Sequence, residues 1–382
     1  MTNKILNLFI LLLIVLSGCS KNGSGISSST PGTASVQPGG SQPQAGVITA
    51  GEWNDLDHWD FWDSIIVNAE FDTMPSHWSF FDNNRISVNV SDINSLPVAD
   101  AFVKLKRDGS VIFSTKTDNK GKAELWADLF ENNPNVDYSH LSIDVNNGAG
   151  TIADVKPFSV AVNNIIISPA AAANNIDLAF VVDATGSMGD ELEYLKTELL
   201  DVITRAKNEN PGYIVSTSSV VYRDNGDEYL TRVSNFTTDN NITINFIKDQ
   251  SANGGNDTPE AVDAALDKAV NELQWSSNAK ERLLFLVLDA PPHNDIASIT
   301  KVQSAIQKAA EKGIKIIPIT ASGIEKQTEF LMRFISMSTN GTYVFITDDS
   351  GIGNSHLTAT VGPFQVEYLN NLMVRLIKKY AE

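Results

Sequence analysis

The sequence predicts an α/β protein: a doubly wound, mostly parallel sheet with helices on both faces, preceded by a small antiparallel β-sandwich. Three observations carry this. Beyond Asn174, apolar runs of strand length alternate with stretches of helical periodicity. Between Arg85 and about Ser168 the runs are short, alternate apolar with polar residues and are separated by turn residues. Two of the later runs, 176–182 and 282–288, are nearly continuous in apolar residues, as strands buried on both faces are, and each is followed by an aspartate.

In chain order, Lys4 precedes an apolar run, 5–16, that is too short to span a bilayer, so residues 1–18 read as a signal peptide. Its end, Leu16-Ser17-Gly18-Cys19, resembles the bacterial lipobox, in which cleavage leaves the cysteine amino-terminal and lipid-bearing. That resemblance implies a lipid anchor in the bacterial cell envelope, expected at the outer membrane, with its periplasmic or surface face left open. Cys19 is the single cysteine, so no disulfide within the chain is expected. Residues 19–50 are then the lipidated Cys and a tether, rich in Gly, Ser, Pro, Thr and Gln, that buries too little apolar surface to offset its ordering entropy.

Residues 51–168 combine an aromatic-rich segment with the sandwich. Trp53, Trp59 and Trp62 stand among Asp55, Asp57, Asp60 and Asp63. These acids lack the glycine turn and distal glutamate of an EF-hand, and Trp53, Leu56 and Trp59 at helical spacing predict docking onto the next domain. Strands are expected at 86–90, 101–105, 111–113, 123–125, 141–145 and 165–167, with turns at Asp108-Gly109 and Asn119-Lys120-Gly121. The segments 97–103 and 117–125 resemble Ig-like domains of the carboxypeptidase-regulatory type, which implies a spacer or binding module.

Residues 174–382 form the α/β domain. Strands are expected at 176–182, 213–222, 229–236, 282–288, 314–320 and 342–346, and helices at 190–208, 259–274, 298–312, 325–338 and 365–380. The last helix should set Val366, Leu369, Leu372, Val374 and Ile377 against the sheet. A hydrophobic content of 42% over 382 residues supplies two cores. The net charge of −18 argues against nucleic acid as a partner.

Asp183-Ala184-Thr185-Gly186-Ser187 places one carboxylate and two hydroxyls at the end of a buried strand, where a folded-back loop can aim all three at one point. Oxygen-only donors suit a hard cation. In the doubly wound fold Asp289 ends a second strand on the same edge, and Gly254-Gly255-Asn256-Asp257-Thr258-Pro259-Glu260 opens a helix near it. These three segments resemble the loops of a metal-ion-dependent adhesion site, and residues 174–382 resemble a von Willebrand factor A domain. The resemblance implies a metal set of Asp183, Thr185, Ser187, Asp289 and either Thr258 or Glu260. Thr258 matches the usual second-loop threonine, whereas Asp257-Thr258-Pro259-Glu260 resembles the integrin β loop, in which the glutamate reaches the metal. It also implies that Asp289 orients coordinated water.

The expected cofactor is therefore a divalent metal, magnesium first, with manganese or calcium as alternatives. Neutral hydroxyl donors leave the ion with residual positive charge, so the expected partner is a protein presenting an Asp or Glu side chain. Two enzyme readings stand against this one. A metal-dependent hydrolase needs a general base, and His293 is the histidine placed for it. An NAD-binding Rossmann site is suggested by Ala184-x-Gly186-x-x-Gly189, but Asp183 would set a carboxylate beside the pyrophosphate, and Asp201, the acid about 20 residues on, falls inside a helix. The expectation is a binding module and not an enzyme. If Cys19 carries the anchor, Cys19→Ser releases the protein from membranes in fractionation, whereas membrane retention without lipid mass on the mature amino terminus refutes it.

Overall fold

The computed structural model describes residues 43–168, 173–255 and 257–382; the signal segment, Cys19 and most of the expected tether lie outside them. The elements are β1 (Thr49–Trp53), α1 (Trp59–Ile65), α2 (Met74–Trp78), β2 (Arg85–Ser91), β3 (Phe102–Arg107), β4 (Ser110–Lys116), β5 (Lys122–Trp126), β6 (Leu141–Val145), β7 (Gly150–Ile152) and β8 (Asn163–Ile166). There follow β9 (Asn175–Asp183), α3 (Leu192–Glu209), β10 (Ile214–Tyr222), β11 (Thr231–Thr237), α4 (Asn240–Lys248) and α5 (Val262–Asp267). The chain closes with β12 (Glu281–Leu288), α6 (Ile296–Lys312), β13 (Ile314–Thr320), α7 (Lys326–Ser338), β14 (Tyr343–Ile346), β15 (Glu367–Tyr368) and α8 (Leu369–Ala381).

The main sheet has the order β11-β10-β9-β12-β13-β14-β1-β15, with β10, β9, β12, β13 and β14 parallel and antiparallel strands on both flanks. Alternate residues of one strand feed two cores. Leu284, Leu286 and Leu288 pack with α5, α6 and α7, while Leu283, Phe285 and Val287 pack with α3 and α8. Both faces of β12 are dry, which suits the continuously apolar stretch Leu283 to Leu288 that follows its buried Glu281 and Arg282. The ends of α6 follow local chemistry: Asp295 accepts from the Ala297 and Ser298 amides, and Gly313 closes the helix at φ +72°.

The sandwich is two small sheets, β5-β2-β8 and β4-β3-β6-β7, antiparallel as expected except that β8 returns parallel to β2. It packs beneath the main sheet, at the amino-terminal ends of the parallel strands: Asp100 pairs with Arg282, Lys116 lies over Gly313, and Asn119 donates to the Lys379 carbonyl at the end of α8. Its core is continuous with that around α7, so the boundary expected near residue 168 separates chain segments rather than independent cores.

Several further expectations change. The tether cannot extend to residue 50, because Thr49–Trp53 is a strand of the main sheet and Ile48 and Ala50 are fully buried. Its entry is fixed by Glu198, a buried acid on the apolar face of α3, which accepts the amides of Gly46, Val47 and Ile48 at 2.9–3.1 Å. Trp53 belongs to that strand, not to a helix with Leu56 and Trp59, although the segment does dock as expected: Trp62 is fully buried against Phe330 of α7. The helix expected at 259–274 begins at Val262 and ends in a π-helical turn, Lys268–Glu272, because Glu260 is held in backbone pairing with the Pro291–Pro292 stretch. The last helix begins at Leu369, which leaves Val366 exposed, while Leu372, Val374 and Ile377 are buried as expected.

Asp55, one of the acids in the tryptophan-rich segment, is the counter-ion of Arg333 on α7. The two meet at 2.6 and 2.9 Å with both side chains fully buried; Glu329 adds a contact at 3.2 Å and Trp62 stacks over the guanidinium at 5.0 Å. Removing one member leaves an uncompensated buried charge, so Asp55→Ala is expected to cost about 3–5 kcal/mol. Measured by chemical denaturation, the double variant Asp55→Leu/Arg333→Met should lose less than the two single changes summed.

Candidate metal centre

Parallel strands end on one edge, and that edge gathers the predicted residues. Asp183 is the last residue of β9, in register with Tyr222 of β10, and Asp289 follows the end of β12. Asp183 and Thr185 are fully buried, and Ser187 is exposed at the rim. Asp183 Oδ1 accepts from the Thr185 amide at 2.9 Å and from its hydroxyl at 2.7 Å, and the Thr185 and Ser187 hydroxyls lie 3.2 Å apart. The loop continues into a short 3-10 turn, Gly186–Asp190, so α3 begins two residues later than expected.

The second loop locks onto the first through backbone. Gly186 donates to the Gly254 carbonyl at 2.9 Å and Asn253 to the Ala184 carbonyl at 3.0 Å. Gly255, at φ +57°, must be glycine: a Cβ there would sit 2.5 Å from Glu260 Oε1 and 2.6 Å from Thr185 Cβ. Glu260 is therefore packed against Thr185 and is 1% exposed, whereas Thr258 is exposed. The Glu260 amide donates to the Pro291 carbonyl at 3.0 Å, which ties the second loop to the third.

Three buried carboxylate oxygens here have no hydrogen-bond partner among the described residues: Asp183 Oδ2, Glu260 Oε2 and Asp289 Oδ1. Orphaned carboxylate oxygens in a dry place are costly, and three of them on three loops of one edge call for protons or a cation. No trio of His, Cys, Asp or Glu among the described residues is arranged to hold a metal alone, so a fitting donor set must draw on the Thr185 and Ser187 hydroxyls. Burial, then the charges of Asp183, Asp224 and Asp289, push the Glu260 carboxyl up to about 9. Burial likewise raises Asp183 and Asp289; the Asp224 charge adds to the rise at Asp183, and the Asp183 charge to that at Asp289.

Residues that sequence reasoning did not single out complete the rim. Arg223 is nearly buried and holds the Ala184 carbonyl at 3.1 Å and the Ser251 carbonyl at 2.9 Å, joining two of the loops. Asp227 accepts the Gly255 amide at 3.0 Å. The Tyr222 hydroxyl is buried beside Asp183, and burial with the Asp183 charge holds it well above the usual phenol range. His293, the candidate base, bonds Asp224 Oδ1 at 2.8 Å on the rim. The turn signal in Tyr222-Arg223-Asp224-Asn225-Gly226 was visible, but its facing toward Asp183 depends on strand register.

Residues 177–356 match the family model of the von Willebrand factor A domain, and the α/β body is a domain of that kind. Among curated proteins, an ariadne-like RING finger protein of Acanthamoeba polyphaga mimivirus is 34% identical over 119 residues, which cover 31% of this chain and 11% of that protein. An alpha-protein kinase of Dictyostelium discoideum is 24% identical over 179 residues, covering 46% of this chain and 28% of its own. The chain thus spans only a minor part of either relative. Among solved structures, BatB of Bacteroides thetaiotaomicron has a TM-score of 0.37 at 13% identity and covers 54% of this chain and 98% of its own. An aerotolerance-related membrane protein of Bacteroides fragilis has a TM-score of 0.37 at 14% identity, with 53% and 99% covered.

A carboxyl whose pKa is higher folded than unfolded favours the fold at low pH, and that contribution is lost as pH rises through the folded value. In EDTA the melting temperature should therefore fall between the ordinary carboxylate range and about pH 9, the value reached by Glu260. Melts with and without magnesium should diverge as pH rises; parallel curves would remove these carboxylates from the metal's neighbourhood.

Proposed function

We propose that the von Willebrand factor A domain of this chain is the recognition head of an exported, lipid-anchored protein of the cell envelope. It binds, without catalysis, a protein partner that presents an Asp or Glu side chain to a divalent cation, magnesium by preference. The observation that supports this reading is that Asp183, Glu260 and Asp289 each leave a buried carboxylate oxygen unpartnered on the edge where Asp183, Thr185 and Ser187 bring a carboxylate and two hydroxyls together. Asp183, Thr185 and Ser187 would hold the ion directly. Glu260 is a better donor than the exposed Thr258, because it is buried against Thr185 and is already oriented by pairing to the third loop. The bound ion would supply an electrophilic point for a carboxylate.

The chain's own residues do the rest. Asp183 fixes the Thr185 hydroxyl, the two glycines let the second loop close on it, and Arg223 keeps both loops in register. Attachment by Cys19 rests in this reading on the lipobox match of Leu16-Ser17-Gly18-Cys19. The His293 and Asp224 pair serves here to shape the rim.

At free magnesium about one hundred times its dissociation constant, binding to the folded state alone should add about 2.7 kcal/mol of stability. Asp183→Ala should abolish that gain in thermal melts, and envelope proteins captured in magnesium should be lost both in EDTA and with the Asp183→Ala bait. Capture that survives both treatments would move recognition away from the cation.

A further inference from the structure

At the opposite end of the domain, where the sandwich meets the start of β12 and the end of α6, lies a cleft of about 520 Å³. Phe102 and Trp275 form apolar walls, and Lys116, Arg282, Lys308 and Lys312 bring four cations to it. Three acids face these four: Asp100, Glu311 and, beside Arg282 on β9, Asp177, which is also bonded by Ser276. Lys116 and Arg282 share a single carboxylate oxygen, Asp100 Oδ1, at 2.9 and 2.8 Å. Lys312 is bonded to a neutral acceptor, the Val270 carbonyl, at 2.6 Å, and Glu311 is taken by Lys308 at 2.7 Å. Arg282 is 2% exposed, and its Nη2 has no partner among the described residues. Burial and then the Arg282 charge push the Lys116 ammonium below its ordinary value, as expected where positive charge is in excess. Such a pocket is unusual on a chain with a net charge of −18.

We propose that this cleft binds a small organic anion, an oxyanion group joined to an apolar ring. The oxyanion meets the Arg282 and Lys116 side, where a guanidinium has hydrogen-bonding capacity to spare. The ring lies against Phe102 and Trp275. The site is independent of the cation edge, since its residues stand at the amino-terminal ends of the strands whose carboxyl-terminal ends carry Asp183 and Asp289.

Calorimetry on the folded protein at low salt tests this with phenyl phosphate, phenylacetate, inorganic phosphate and benzyl alcohol. The two ring-bearing anions should bind, and the tighter of them assigns a phosphoryl or a carboxylate ligand. Bare phosphate should bind about tenfold more weakly, for want of the buried ring. Arg282→Met should weaken binding roughly tenfold or more, through loss of charge-assisted hydrogen bonds. Lys308→Glu, at the exposed mouth, should weaken it about threefold, with a penalty that shrinks in salt. Asp183→Ala and EDTA should leave binding unchanged, which keeps this site separable from the cation reading. Lys308→Glu carries the test alone should Arg282→Met fail to fold. The proposal is overturned if neither ring-bearing anion binds at millimolar concentration, if benzyl alcohol binds as well as they do, or if binding is indifferent to the charge variants.

Discussion

Carboxylates from three loops cannot share a dry volume without compensation, and this constraint organises the upper edge of the domain. Asp183 and Asp289 are fixed there by strand ends, and Glu260 by backbone pairing to the third loop, so none can swing out to water. Their unpartnered oxygens leave two outcomes, retained protons or a cation. The surrounding devices hold the loops closed while that choice is made: two glycines at positive φ, Arg223 across two carbonyls and Asp227 on the Gly255 amide. Such rigidity suits a site that selects by geometry.

The lower half of the molecule rests on a different balance. Arg333 lies in the core with Asp55 and Glu329 as counter-ions, so α7 is tied to a segment some 280 residues earlier in the chain. The sandwich adds Asp100, Lys116 and Asn119 to the same underside. What began as a spacer followed by a head is one body, in which Glu52 also pairs with Arg375 and Lys379 of α8.

The legible parts were those with local causes. The continuous apolar runs of β9 and β12, the helical stripe of α3 and the turn residues of the sandwich each declare themselves within a few residues, and the aspartates after the two runs mark the edge where ligands gather. What escaped has distant causes. The sequence Thr49-Ala50-Gly51-Glu52-Trp53 carries little strand signal, and becomes a strand because β14 and β15 flank it and because Phe345 and Phe364 leave room only for glycine at position 51. Glu198 interrupts an apolar stripe for the sake of amides that lie 150 residues away. Glu260 at the second loop was readable as a candidate beside Thr258; its burial against Thr185 was not, because it depends on the fold of Gly255.

The placement of β1 has a mechanical reading. It runs antiparallel to β14 with Ala50 opposite Ile346, so the chain enters the sheet at the edge that bears Asp183 and Asp289, not at the sandwich end. A pull on the chain ahead of Gly46 would load β1 along its axis, between neighbours on both sides. Its ladder bonds would then be sheared together rather than unzipped one at a time, with the Glu198 clamp as the first link. Force between that entry point and anything held at the strand ends would cross the parallel core and leave the sandwich unstrained.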